Sequence, residues 1–282
     1  MPSVVTALNR YPVKSCRGEP LDTAVVEPWG LAGDRRFMLV DADGSVVTAR
    51  ENPSLVLVTP SVGGQLLRLD HPGATSLTVT VPDGSDLVPV QMWNSKLDAA
   101  PVGASADDWF SQVVGHPVRL VYLDDPQRRR PNPRYGKDSD RVSLADGYPL
   151  LLTTESSLAA LNDLIRERTQ AQSEPMSMTR FRPNVVVAGT PAWVEDGWRR
   201  LRIGAVHFRA VKACDRCVFT TIDPVTAQKG TEPIATLARY RKWDGKTWFG
   251  VNLIPDEPEG ASIAVGDPVE VIAETDASEP QR

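Results

Sequence analysis

Nothing in this chain limits its fold more than a succession of apolar runs too short to be helices. They fall at residues 37–40, 46–47, 55–58, 66–69, 77–81 and 87–90, and turn-forming residues cut each from the next. Runs of that length bounded by Gly, Pro and Asp are strand material, so the first ninety or so residues are expected to form a β-rich barrel or sandwich. Asp43-Gly44 and Asp83-Gly84 read as hairpin turns, because glycine admits the positive φ that a tight turn needs.

Helical periods enter further on. Ser105 is a candidate N-cap for a helix whose Trp109, Phe110, Val113 and Val114 share one face and which Gly115 can end. Thr154 caps a second, with Leu158, Leu161, Leu164 and Ile165 recurring at helical spacing as far as Arg168. Pro233 can open a third, running to about Tyr240 with Ile234, Leu237 and Ala238 inward. Strands are expected at 118–123, 150–153, 185–188, 201–203, 206–211, 218–222, 249–253 and 269–272. The fold class is therefore mixed α+β and β-rich. The sequence holds no internal repeat, Rossmann glycine fingerprint or Walker loop.

Composition narrows the function classes. The chain has 282 residues, 41% hydrophobic and 24% charged, which is the make-up of a soluble globular protein. A net charge of −5 offers no general attraction to nucleic acid or anionic membrane, so no stable nucleic-acid binding is expected. No apolar run approaches the roughly 20 residues of a membrane-spanning helix. Three cysteines make no disulfide framework, and SVVTAL at the N-terminus is strand-like rather than a secretory signal. The expected location is the cytoplasm.

Two of the three cysteines lie in ACDRCVFTTIDP, residues 213–224. A thiol attacks or ligates as thiolate, which the neighbouring cations Lys212 and Arg216 favour. A structural zinc site lacks its second ligand pair, since His71, His116 and His207 are scattered. A thioredoxin-like arrangement lacks the following helix, because 218–222 reads as a strand. Two inert, packed cysteines are the remaining alternative.

Other segments carry anion-binding chemistry. YPVKSCRG, residues 11–18, puts Lys14, Ser15 and Arg17 in a loop after a strand, where they can bind phosphate or simply be solvated. In GDRRF, residues 33–37, Arg35 can reach an oxyanion or pair with Asp34. The helix start at Thr154, Ser156 and Ser157 is a competent anion site, although capping explains the same residues. The run at 128–134, RRRPNPR, reads as a solvated loop, with covering an anionic cofactor or docking an acidic redox partner as alternatives.

Taken in order, YPVKSCRG, GDRRF, VTAREN, LLTTESSLAALN, RFRPN, ACDRCVFTTIDP, EPIATLARYR and VGDPVEV resemble the MOSC family of molybdenum-cofactor proteins. The likeness spans Tyr11 to Val271 and points to the branch with an N-terminal MOSC β-barrel domain, which includes the amidoxime reducing components. It implies a MOSC N-terminal β-barrel-type domain at 1–117, a MOSC β-barrel domain with peripheral helices at 118–273 and a flexible tail at 274–282. In that family the second cysteine of the C-x-R-C stretch ligates molybdenum, which implies Cys217, with Cys214 left as a supporting or packing thiol. The groups holding the pterin and its phosphate map onto Lys14, Ser15, Arg35, Arg182 and Asn184, with the helix start at Thr154 and Ser157 nearby by analogy.

The implied activity is molybdenum-cofactor-dependent reduction of N-hydroxylated compounds (amidoximes, hydroxylamines, hydroxylamino bases) to N–H products. Its electrons are expected from a separate donor protein, since the chain lacks cysteines for an appended iron–sulfur domain. No N-terminal membrane-targeting segment like that of the mammalian relatives is expected. Sulfur transfer and non-catalytic cofactor carriage are the alternative functions within the same family.

Overall fold

A computed structural model describes residues 2–170, 174–256, 258 and 260–275. The strand Phe37–Val40 shows how the apolar runs are used. All four residues are buried, but Phe37 and Leu39 join one core cluster while Met38 and Val40 join another, because successive strand side chains point to opposite faces. This strand lies inside a five-stranded sheet ordered Val88–Met92, Ser95–Pro101, Arg119–Tyr122, Phe37–Val40, Val46–Val47. The Asp43-Gly44 turn joins the last two, with Gly44 at φ 80°.

A larger, nine-stranded sheet is built mainly from later residues. Its order is Glu19–Leu21, Val4–Arg10, Val185–Ala188, Leu150–Thr154, Lys246–Asp256, Val206–Arg216, Trp198–Ile203, Val269–Glu274, with Lys242–Trp243 also pairing with Lys246–Asp256. The two long strands run antiparallel, and their register breaks between Ala210 and Lys212 and again between Ala213 and Asp215. Such bulges bend a strand and re-aim its side chains, here just before Cys217. Two three-stranded sheets, Thr59–Gly63 with Leu66–His71 and Ala74–Thr80, and Gly30–Leu31 with Thr23–Glu27 and Ser262–Ala264, complete the β structure.

Pairing crosses the residue 117/118 point in both directions. Val4–Arg10 sits against Val185–Ala188, with Leu8 opposite Val185, whereas Arg119–Tyr122 returns to pair with Phe37–Val40. The N- and C-terminal parts thus each lend a strand to the other's sheet.

Helices α1 (Ala104–Val114), α2 (Glu155–Thr169) and α3 (Ile234–Tyr240) follow the expected periods. Gly115 ends α1 in the left-handed region, but the cap at its start is Gly103 rather than Ser105. Thr154 caps α2 by accepting from the Ser157 N–H. α2 and α3 share a small core of Leu161, Ile165, Leu237, Phe181 and Phe249. In it Phe181 stacks on Phe249 at 3.9 Å, which anchors the backbone immediately before Arg182.

Three local expectations are corrected. Residues 218–222 are not a strand: Val218–Thr221 is a 3-10 turn, because the Thr220 and Thr221 hydroxyls donate to the carbonyls of Cys217 and Val218 at 3.0 and 2.7 Å and so draw the backbone into a local bend. Residues 55–57 likewise fall in a 3-10 helix, Pro53–Leu57, with proline in its first turn and Val58 as its extended C-cap. Asp83-Gly84 does not join a hairpin, since the strands on either side, Ala74–Thr80 and Val88–Met92, belong to different sheets. Of the expected 274–282 tail, Glu274 closes the last strand, and residues 276–282 lie outside the described residues. No helix among the described residues is long and apolar enough to cross a membrane.

Candidate active site

A cavity of about 750 Å³ opens between the two large sheets, and its wall is strongly cationic. Lys14, Arg35, Arg50, Arg129, Arg130, Arg182, Lys212 and Arg216 line it against only two carboxylates, Asp146 and Asp215, in a chain whose net charge is −5. Positive charge has therefore been gathered here. Four of the eight non-glycine residues with positive φ among the described residues also line it: Ser15, Arg35, Trp93 and Arg182. Such backbone costs about 1–3 kcal/mol per residue and persists only where the surroundings impose it.

The surroundings that impose it at Arg35 centre on Asp34, which is 0% exposed. Its carboxylate accepts from the Tyr11 N–H at 2.8 Å, from Arg35 Nη1 at 2.7 Å and from Asn184 Nδ2 at 3.1 Å. Asn184 in turn accepts from Arg35 at 3.0 Å and from the Leu151 N–H at 3.2 Å. The Tyr11 ring lies 4.3 Å from the guanidinium of Arg35 and 4.3 Å from that of Arg182. Burial pushes the Tyr11 hydroxyl up to about 12 against the pull of both arginines, and burial followed by repulsion from Arg35 lowers Arg182 to about 10. Arg35 thus pairs with Asp34 and also lines the cavity. Asn184 is an internal bracket, with its amide hydrogen-bonded on both sides.

A second group surrounds Lys14. Its ammonium donates to the Leu144 carbonyl at 3.0 Å and to Asp146 at 2.5 Å. Burial lowers it to about 8, with Asp146 opposing. The same cations hold the Asp146 carboxyl well below the ordinary range although burial pulls it up, Lys14 contributing most. Ser15 Oγ accepts from the Ala49 N–H at 3.1 Å, which leaves its O–H free to donate. The arginine run at 128–134 divides by role. Arg128 pairs with Asp124, Arg129 is buried and donates to the carbonyls of Ser143, Ala145 and Asp146, and residues 130–133 form part of the cavity wall.

The three thiols have different settings. Cys16 is buried, Cys214 half-buried and Cys217 exposed. Burial pushes Cys16 up to about 12 against Arg182, so it is an inert packing thiol. Burial also raises Cys214, opposed by Arg216, whose Nη1 donates to its sulfur at 2.8 Å. Cys217 leaves the end of the long strand, lines the cavity and accepts from Arg50 Nε at 3.4 Å. No group of three or more His, Cys, Asp or Glu side chains among the described residues could hold a metal ion.

Comparison with known proteins accounts for both halves of this cavity. Residues 2–117 match the MOSC N-terminal beta barrel domain and residues 139–270 the MOSC domain. Mitochondrial amidoxime-reducing component 1 of Homo sapiens is 32% identical over 289 residues, covering 96% of this chain and 83% of the relative. The chain belongs to the MOSC family. Other relatives are mitochondrial amidoxime-reducing component 1 of Danio rerio, 33% identical over 86% of this chain and 76% of its own, and mitochondrial amidoxime reducing component 2 of Macaca fascicularis, 33% identical over 94% and 82%. In this MOSC protein Lys14, Arg35 and Arg50 come from the first matched region and Arg182, Arg216 and Cys217 from the second. Arg129 and Arg130 come from the segment between them.

The α2 start stands apart in this MOSC protein. Thr154 and Ser157 are both buried and neither lines the cavity. Thr154 Oγ1 lies 2.7 Å from Ser157 Oγ, which donates to Glu195 Oε2 at 2.9 Å. Thr154→Ala is accordingly expected to cost about 0.5–2 kcal/mol as a lost cap with cofactor retention unchanged. Urea melts beside metal analysis would show this, and metal loss without destabilisation would contradict it.

Burial raises the Glu195 carboxyl to about 7, with Ser157 opposing, and its Oε1 has no hydrogen-bond partner among the described residues. Because the folded value lies above the unfolded one, this group favours folding below about pH 4.5, and that contribution is lost as pH rises through about 7. Glu195→Gln should therefore flatten the fall in stability between pH 5 and pH 8, by at most about 3 kcal/mol. Parallel pH-stability curves for the two proteins would refute this.

Arg50, Trp93 and Asp146 were not singled out by sequence reasoning, and Asp34 entered only as a partner for Arg35. Arg50 lies within VTAREN, which marks the family but assigns no role, and Trp93 and Asp146 carry no local signal, because their partners lie far along the chain.

Proposed function

We propose that this chain is a molybdenum-cofactor-dependent oxidoreductase that reduces N-hydroxylated compounds to their N–H products. The observation that carries the reading is the exposed thiol of Cys217 on the wall of a cavity lined by eight cations. Those residues suit the two ends of such a cofactor. A dianionic phosphate calls for the fork of a guanidinium and for ammonium and hydroxyl donors, which Arg35, Arg182, Lys14 and Ser15 provide. A redox-active transition metal calls for a soft thiolate, which Cys217 provides. The names of the relatives supply amidoximes as the substrate class, and the proposal extends it to other N-hydroxylated compounds.

When bound, the cofactor supplies the two-electron chemistry that breaks the N–O bond. The balance is R₂N–OH plus two electrons and two protons, giving R₂N–H and water. The chain's own residues hold the anionic end of the cofactor, fix the sulfur of Cys217, and present Trp93 and Tyr148 as walls against which a planar substrate can lie. In this reading the electrons come from a separate donor protein, and the three cysteines of the sequence are Cys16, Cys214 and Cys217. All three are unpaired, which suits the reducing cytoplasm.

The test is molybdenum and pterin per chain in protein from a host that makes the cofactor, followed by anaerobic reduction and mixing with an aromatic amidoxime. Near-stoichiometric metal and one amidine formed per reduced centre are expected. Folded protein from that host with neither metal nor pterin, or with persulfide on Cys217 in their place, would overturn the reading in favour of sulfur transfer.

A further inference from the structure

The two most exposed large apolar side chains among the described residues are Val225, at 73%, and Val218, at 59%. Both follow the exposed Cys217 within a short segment, Val218 directly and Val225 on the loop after the 3-10 turn. A single exposed valine needs no explanation, but two beside the mouth of a cavity call for one.

The loop is tightly bonded. Ile222 bridges to Lys229, the Asp223 N–H donates to the Gln228 carbonyl at 2.8 Å, and the Gly230 N–H donates to the Thr221 carbonyl at 3.0 Å. The Asp223 carboxylate accepts from the N–H groups of Val225 and Thr226, each at 2.9 Å, and from Arg180 at 2.6 Å. The loop's own acid is therefore neutralised, and Val225 is held out to solvent.

The cations around the loop keep their charge. Arg17 Nη2 donates to the Pro224 carbonyl at 2.6 Å and Lys229 Nζ to the Arg50 carbonyl at 2.8 Å, both neutral acceptors. On the strand that leads into Cys217, Asp215 lies 3.1 Å from Lys212 and 3.1 Å from Lys246, so that trio carries a net positive charge. Arg17, Lys229 and Lys246 all stand outside the cavity wall. An apolar centre with a charged rim is the anatomy of a protein contact, and cations gathered on a chain of net charge −5 select an acidic partner.

We propose that the face formed by Val218, Val225, Arg17, Lys229 and Lys246 docks the electron donor, and that the donor is a small protein with an acidic patch around its redox centre. This rests on the reading of Cys217 as the metal-binding thiol and of the electrons as coming from a separate protein. A donor seated on this face lies against the wall that carries Cys217. Each encounter oxidises a one-electron donor and reduces the enzyme by one electron. Two encounters supply the two electrons that, with two protons from water, turn N–OH into N–H and water. Such encounters bury little surface and draw their rate from charge. A lipid surface has anionic headgroups but no electrons to give.

The probe is an acidic plant-type [2Fe–2S] ferredoxin, with basic cytochrome c as the charge control. Its binding to metal-free protein and, when reduced, its rate of electron transfer to cofactor-loaded protein are measured for wild type, Lys229→Glu, Lys246→Glu and Val225→Asp. Each variant is expected to lose roughly tenfold in affinity and in second-order rate at low salt, and the wild-type rate should fall as salt rises. Cytochrome c should not bind wild type. Amidoxime turnover driven by photoreduced 5-deazariboflavin, a small uncharged reductant, should match wild type in every variant. Should Lys229→Glu fold poorly, Lys246→Glu and Val225→Asp carry the same test.

Ferredoxin binding and electron transfer equal to wild type in all variants, or no ferredoxin binding by wild type, overturns the docking surface. So does an equal loss of deazaflavin-driven turnover, which would put these residues in the catalytic site. Binding to phosphatidylserine vesicles that the same variants abolish, without ferredoxin binding, makes the face a membrane contact and overturns the donor. Ferredoxin binding lost in the variants of a protein that takes up no molybdenum supports the surface while overturning the cofactor reading.

Discussion

Cys217→Ala is expected to lower substrate reduction by on the order of 100-fold or more and to strip most of the molybdenum while leaving the fold intact. The fold is spared because the local turn uses the backbone of Cys217 and not its side chain: its carbonyl accepts from the Thr220 N–H at 3.1 Å and from the Thr220 hydroxyl at 3.0 Å. The side chain itself is exposed, so truncation should change stability by no more than about 0.5 kcal/mol. Lys14, Ser15, Arg35 and Arg182 remain in place, and pterin should be retained better than metal. Quantifying molybdenum and pterin separately in the same samples checks this. A folded Cys217→Ala protein with wild-type metal and turnover would end the ligand assignment, whereas Cys214→Ala is expected to keep its metal, because Cys214 faces Arg216.

Asp34→Ala should be the most damaging change to the architecture of the cavity. This carboxylate is fully buried and joins the backbone at Tyr11, the guanidinium of Arg35 and the amide of Asn184. Removing one partner of a buried charged pair leaves the other charge uncompensated, at a cost of about 3–5 kcal/mol. The loss should appear as a lower urea midpoint and as weaker cofactor retention, since Arg35 and Tyr11 would no longer be held. Asp34→Asn preserves the shape and removes only the charge, so it isolates the electrostatic part. If both variants unfold within about 0.5 kcal/mol of wild type, the range of surface substitutions, Asp34 does not organise this site.

Much of the local structure was legible. The short apolar runs gave the β-rich class, Thr154 marked the start of α2, and Gly115 marked the end of α1. Each of these depends on residues within a few positions of one another. The turn at Val218–Thr221 shows the limit of that reasoning, since the same β-branched and aromatic residues that suggest a strand form a 3-10 turn once their hydroxyls bond to the nearby backbone. The helix start at Thr154 and Ser157 shows another limit: its chemistry suits an anion, but the fold sets it against Glu195.

By itself the sequence determined the fold class, the helix periods and a set of cations, hydroxyls and thiols able to serve a phosphate and a soft metal. Only the tertiary structure decided which of them meet. It drew Val4–Arg10 beside Val185–Ala188 and Arg119–Tyr122 beside Phe37–Val40, which brought Lys14, Arg35, Arg50, Arg182 and Cys217 to one cavity. It also made Asp34, Asp146 and Trp93 the supports of that cavity. The physical reason is range: propensity, periodicity and capping act over a few residues, whereas convergence on a site depends on strand pairings between segments about 80 residues or more apart, and no local pattern encodes them.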